Sequence, residues 1–263
     1  MRRRGRLPVP QNILLEEMTW PEIEQALSEG WTTCVIAAGS VEQHGPHLPL
    51  ITDTLLGQAV ALRLARKLGR SLAAPAIRPG ISEHHMAFPG SLTLDAKLFS
   101  DLVQAYCLSL ARHGFTELVV FSSHGGNFGA LADLAPGLAR TLGEKVRTRV
   151  VGLDHSTLAD RFMAPLTPFD IEPGAAGSHA GLSETSQVLA VRPELVRADR
   201  LAAGYTGEVG PDLIPRGLKA YTENGVLGDA RRARAEYGEA LLEAWADWLR
   251  EEVQASRQAD LTP

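Results

Sequence analysis

Glu117-Leu118-Val119-Val120-Phe121-Ser122-Ser123-His124-Gly125-Gly126-Asn127-Phe128-Gly129 is the stretch that decides the architecture. Its first half is a short apolar run that reads as a strand. A glycine-rich turn carrying a histidine and an asparagine follows, and then helical spacing over about 130–142. The same order recurs upstream. Thr33-Cys34-Val35-Ile36-Ala37-Ala38 reads as a buried strand, and it leads through a polar turn into helical periodicity over about 54–68, stopped by Gly69. Residues 72–77 make a weaker strand, because Pro75 removes a ladder donor. They deliver a polar loop at 81–93 and a long amphipathic helix over 95–112, ended by His113-Gly114. Downstream, residues 147–153 alternate as a further strand, ending at Asp154-His155. Strands alternating with helices of this length predict an α/β fold, a mostly parallel sheet with helices on both faces.

In such sheets ligands bind at the carboxyl ends of the strands. Glu42 and His44, His84 and His85, His124, and His155 each follow directly after an expected strand. Four separate segments therefore bring histidine to one sheet edge. Core or solvated histidines have no reason to be distributed that way. His113 is different: it sits at a helix end beside a glycine stop, where a cation-capable residue is structural.

The first of these turns is Gly39-Ser40-Val41-Glu42-Gln43-His44-Gly45-Pro46-His47-Leu48-Pro49-Leu50-Ile51-Thr52-Asp53. Glu42 and His44 stand two residues apart, so extended backbone points them the same way. Asp53 opens the following helix and can face the same spot. Taken singly, Asp53 could be a helix cap and the others loop residues. Together, carboxylate and imidazole form the donor set of a borderline divalent ion. His47 and His155 could support that set, with surface exposure expected for His47.

A first helix is expected from the Thr19 cap to about Ser28, with Pro21 in its first turn. Beyond residue 155 a proline- and glycine-bearing loop ends in Ser178-His179-Ala180-Gly181-Leu182-Ser183-Glu184-Thr185-Ser186, and a helix carries the chain to Pro193. Residues 202–228 are rich in Gly and Pro and longer than a plain connection, as expected of a functional or subunit-contacting loop. A final amphipathic helix is expected over 231–252, then a loose tail from 257. Residues 1–12 read as a solvated basic start, and no repeat or linker divides the chain, so one domain is expected.

The net charge is −5 with no long basic stripe in the body, which leaves no electrostatic case for nucleic acid. No apolar signal core or membrane span is evident, and the two cysteines, Cys34 and Cys107, fit a reducing cytoplasm.

The quoted motifs, from Glu42-Gln43-His44-Gly45-Pro46-His47-Leu48-Pro49 with Asp53 through His124-Gly125-Gly126-Asn127 to His179-Ala180-Gly181 and Glu184-Thr185-Ser186, resemble the creatininase family in order and spacing. The resemblance runs from about Glu17 to Gly228. It implies a three-layer α/β/α fold, a homo-oligomer (a hexamer in the family) and a hydrolase using one or two divalent ions, zinc in the first place, manganese or iron otherwise. Carried over, Glu42, Asp53 and His124 would bind one ion, with His44 and the shared Asp53 at a second. Creatininase itself has a glutamate two residues after the histidine matching His124. Gly126 stands there, so either Glu184 replaces that ligand or the second ion is weakly held or missing. The tryptophan of the creatinine pocket has no counterpart near Ala175 and Ala176, which argues against creatinine as substrate. Places shared with the mycofactocin precursor peptidases include Glu223-Asn224-Gly225-Val226-Leu227-Gly228-Asp229.

The chemistry agrees with a hydrolase. An amide is a poor electrophile and neutral water a poor nucleophile; a divalent ion corrects both, and a near-neutral histidine can protonate the leaving nitrogen. His179 is expected in that role, with Glu184 as ligand or acid–base group. His84 and Asn127 are expected to contact substrate, or to order the loop. The expected activity is hydrolysis of a small amide, cyclic ones included. Within the family, a mycofactocin-type peptidase or a formamide deformylase is the alternative. Outside it, a non-catalytic metal-binding module would have a closed ligand set.

Overall fold

Four strands, β1 (Thr33–Ala38), β2 (Ser71–Ala73), β3 (Glu117–Ser122) and β4 (Arg147–Val150), form an all-parallel sheet in the order β2-β1-β3-β4 in the computed structural model, which describes residues 12–153, 163–210 and 212–261. All six residues of β1 are buried, which is why it is apolar at every position rather than at alternate ones. β1 and β3 are in step, Thr33 opposite Glu117 through Ala38 opposite Ser122, so both strands end level. β2 is shorter than its sequence suggested, because the ladder stops before Pro75. The contact resumes as a single bridge between Ala38 and Ile77.

The helices are α1 (Trp20–Ser28), α2 (Thr52–Leu68), α3 (Ala96–His113), α4 (Phe128–Leu142), α5 (Leu182–Val191) and α6 (Ala235–Ala259), with short turns between. From β1 the chain crosses by α2 to β2, then returns by α3 to β3 and by α4 to β4. Right-handed crossovers in opposite directions put α2 on one face and α3 and α4 on the other. The packing agrees: α2, α5 and α6 contact one another, and α3 contacts α4. The result is a three-layer α/β/α sandwich.

Local sequence explains the element ends. Glu22 accepts from both the main chain and the hydroxyl of Thr19, closing a capping box at α1. Asp95 accepts from Leu98 N at the start of α3, and Gly114 ends that helix at φ +107°. The last helix differs from expectation. It begins at Ala235, after a tight turn at 230–232, and runs seven residues past its expected end near 252, so the expected tail is helical to Ala259. The cause is an ion-pair network: Glu117 on β3 pairs with Arg149 on β4 and with Arg257, and Arg149 also pairs with Asp260. Among the described residues no helix is long and apolar enough to cross a membrane. His155 and residues 1–11 lie outside the described residues.

Candidate metal centre

The chain leaves β1 in one direction and returns to β3 on its other side, so the strand order reverses between these two neighbours. That switch point opens a crevice at the carboxyl end of the sheet, and the clustered side chains lie there. After β1, the segment to Glu42 is tied by Glu42 N to Leu50 O and by a bridge between Val41 and Leu92. Gly39 lets α2 begin close by, since a Cβ there would lie 2.8 Å from Thr54 Cα. Asp53 thus enters the crevice from the first turn of α2. After β3, Ser122 brackets the next turn, its hydroxyl donating to His124 O and accepting from His124 N. His179 is clamped by an antiparallel bridge to Leu227, and Glu184 lies in the first turn of α5. The 202–228 loop therefore acts on the centre directly.

Both central histidines follow one rule. His124 donates through Nε2 to Ile81 O at 2.8 Å, so its Nδ1 lone pair faces Glu42 Oε1 and Asp53 Oδ2, each at 3.2 Å. His44 donates through Nδ1 to Glu42 O at 3.2 Å, and its Nε2 faces Asp53 Oδ1 at 3.2 Å and Glu184 Oε2 at 3.6 Å. A lone pair directed at two carboxylate oxygens is repulsive unless a proton or a cation lies between them. A second nitrogen fixed on a main-chain carbonyl is the usual arrangement of a metal-binding histidine. Glu42 Oε2 and His44 Nε2 are buried without a hydrogen-bond partner. The donor atoms of Glu42, His44 and Asp53 lie within 4.8 Å of one another, as do those of His44, His179 and Glu184. These residues fit a divalent ion by donor type, by orientation and by their unmet bonding.

Electrostatics points the same way. Burial opposes a charge on His44, but the Asp53, Glu184 and Glu42 carboxylates raise it to about 10. His124 is raised well above the ordinary range, against burial, by Glu42 and Asp53. Without an ion, both rings hold a proton where a cation would sit. Glu184 is pushed up to about 7 by burial and by Asp53 and Glu42, with His44 holding it back. Burial and the neighbouring His44 keep His179 well below the ordinary range, hence neutral. Its Nε2 lies 2.8 Å from Gln43 O, leaving Nδ1 facing Glu42 Oε1 at 4.0 Å.

The geometry brings Glu42, His44, Asp53, His124, His179 and Glu184 together. His84 is buried, its ring stacked on His124 at 5.6 Å, and burial pushes it down to about 4. Asn127 serves the loop backbone: it accepts from Ile81 N and donates to Gly39 O, so both ends of its amide are engaged. His47 is not on the surface; it is fully buried, with Nε2 2.9 Å from Thr185 Oγ1. Gly126 has no room for a side chain, since a Cβ there would lie 2.2 Å from Ile81 O. His113 is exposed at the end of α3, as expected. Sequence reasoning missed Ser40, which donates to Asp53 Oδ2 at 2.5 Å, and Gln43, buried against His85 and His179; it brought His85 to the sheet edge without a role, and that ring lies buried against Glu42. His85 carried a signal in its adjacency to His84, but nothing in the sequence told which ring points inward.

Comparison with known proteins agrees with this fold. The family profile described as creatinine amidohydrolase matches residues 16–253. A mycofactocin precursor peptide peptidase of Mycobacterium tuberculosis is 36% identical over 226 residues, 81% of each chain. The creatinine amidohydrolase of Pseudomonas putida is 30% identical over 261 residues, 92% of this chain and 98% of that one. A crystal structure of creatinine amidohydrolase superposes with a TM-score of 0.80 at 26% identity, covering 94% of this chain and 98% of the other. Solved creatininases of this fold include a Zn–Zn type and a manganese form. With its profile spanning most of the sequence, the chain belongs to the creatininase family.

Proposed function

We propose that the chain is a metal-dependent amidohydrolase that cleaves a C–N amide bond. The observation that carries this reading is the pair of histidines, His124 and His44, each directing a free nitrogen at two carboxylate oxygens. In this reading Glu42, Asp53 and His124 hold one divalent ion, and His44, Asp53 and Glu184 a second. Glu184 takes the place that Gly126 cannot supply. Such an ion lowers the pKa of water and polarises an amide carbonyl.

The chain's own residues do the rest. Ser40 and Ala180 N hold the carboxylates of Asp53 and Glu184 by hydrogen bonds of 2.5 and 2.6 Å. His179, kept neutral, takes a proton at Nδ1 and returns it to the departing nitrogen, a role worth about 10²–10⁴ in rate. His84, at the edge of the cluster with its imidazole neutral, contacts the substrate. Zinc is the first expectation for the ion, with manganese or iron next. The reading also carries a homo-oligomer, a hexamer by family resemblance, in a reducing cytoplasm.

Two substrate classes remain in view. Small amides follow from the family chemistry. A peptide bond is favoured by the 36% identity to precursor peptidases and by the 223–229 segment, which clamps His179 and supplies Gly225 O to Gln43. A non-catalytic binding module would instead bind metal without turnover. The test is metal analysis of purified protein, then a panel of creatinine, other lactams, formamides and short peptides with the metal-loaded chain. Bound divalent metal with turnover of one class is expected. A chain that takes up no metal even after reconstitution overturns the reading.

A further inference from the structure

We propose that His85 positions Glu42 as a hydrogen-bond donor rather than binding metal, and that Gln43 sets its tautomer. The inference rests on the metal-centre reading above and deepens it. His85 is 2% exposed, with Nε2 3.2 Å from Glu42 Oε1. By proximity alone it belongs to a donor set with Glu42 and His179. The hydrogen bonds around Gln43 decide otherwise.

Gln43 has one orientation. Its Oε1 accepts from Gly45 N at 3.0 Å, and its Nε2 donates to Gly225 O at 3.2 Å. Gly225 is at φ +79°, and a Cβ there would lie 1.9 Å from Gln43 Oε1, so the amide is enclosed on that side. The remaining N–H has two neighbours, His179 Nε2 at 2.9 Å and His85 Nδ1 at 3.2 Å. His179 Nε2 also lies 2.8 Å from the main-chain oxygen of Gln43, which can only accept. His179 must therefore carry its proton on Nε2 and cannot accept from the amide. The amide proton is left for His85 Nδ1. A neutral imidazole that accepts at Nδ1 is protonated at Nε2, and that N–H points at Glu42 Oε1. It holds Oε1, the carboxylate oxygen that also faces His124 Nδ1, and so fixes the direction in which Glu42 presents that oxygen to an ion. One residue thus fixes two rings, His179 through its carbonyl and His85 through its amide.

Two measurements test this. In the metal-free protein, imidazole nitrogen shifts by NMR are expected to show His85 protonated at Nε2. Protonation at Nδ1 overturns the proposal. Zinc affinity is then read by competition with a chromophoric chelator. His85→Ala is expected to weaken zinc by roughly 10–100-fold with unchanged stoichiometry, the usual effect of removing a residue that orients a ligand. His85→Gln, whose amide N–H reaches about as far as Nε2, is expected to restore most of that loss. Loss of one zinc equivalent in both variants, or wild-type affinity in His85→Ala, overturns it. If the alanine variant does not fold, the glutamine variant and the wild-type shifts still decide. A wild-type chain that takes up no zinc would sink the functional reading and leave the tautomer test standing.

Discussion

Replacing Gly126 by alanine adds a single methyl where none fits. The new Cβ would lie 2.2 Å from Ile81 O, 2.5 Å from His124 Nε2 and 3.0 Å from His84 Cε1. The first two atoms are acceptor and donor of the 2.8 Å bond that orients His124, so the methyl wedges into that bond. Overpacking costs about 1–3 kcal/mol, and the lost hydrogen bond about 0.5–1.5 kcal/mol. The sum is roughly 2–4 kcal/mol, a fall in Tm of roughly 5–12 °C for a chain of this size. His124, no longer held, is expected to bind metal roughly 10–100-fold more weakly. Gly126→Glu, which restores the carboxylate that creatininase carries, is expected to do worse, not better. Thermal unfolding of the metal-free variants and zinc competition read both effects. A Gly126→Glu protein with unchanged metal-free Tm and tighter zinc would refute the reasoning, because the loop would then open at no cost.

Three further outcomes are expected. His179→Gln should keep its metal and lose about 10²–10⁴ in kcat on whichever substrate the panel identifies; unchanged kcat would remove its proton-transfer role. Glu184→Gln should lose about one equivalent of bound metal, by elemental analysis, while the first ion stays. Glu117 is lowered to about 2, against burial, by Arg257 and Arg149. A depressed carboxylate stabilises the fold above its unfolded value near 4.5 and loses that contribution as pH falls towards 2. The shift corresponds to at most about 3 kcal/mol, and less because Arg257 is partly exposed. The urea-unfolding gap between wild type and Glu117→Gln should therefore be widest above pH 5 and close towards acid; a gap that does not change with pH contradicts this.

The sheet was legible because β1 and β3 are apolar runs bounded by turn residues, which is all that a strand buried on both faces requires. β2 came out shorter for the reason already visible in Pro75. The last helix was misjudged because amphipathic periodicity cannot register Glu117 and Arg149, which lie on distant strands and hold its final turns. Glu42, His44 and His124 were readable for the opposite reason: each follows a strand, and strand order alone sends them to one edge. His47 was misplaced because its partner, Thr185, lies 138 positions on. His84 and His85 are adjacent on a tight turn, where neither strand alternation nor helical spacing says which ring turns inward. Gln43 stayed unnoticed because an amide between two stronger donors carries no signal until its four neighbours are in place.

Gln43 and Gly225 lie 182 positions apart and meet across the same crevice. Contacts that distant form slowly, because closing so long a loop costs entropy before the contact rewards it. Among the described residues, by contrast, the last strand of the sheet ends at Val150. The donor cluster therefore has two assembly dates. Glu42, His44, Asp53 and His124 can come together with the sheet, while His179, Glu184 and the Gly225 carbonyl arrive with the C-terminal third. An ion caught by the first set would meet its remaining partners late. It would act as a clasp on the last part of the chain to fold, and because only the finished fold offers the full set, metal in solution would favour that fold by mass action.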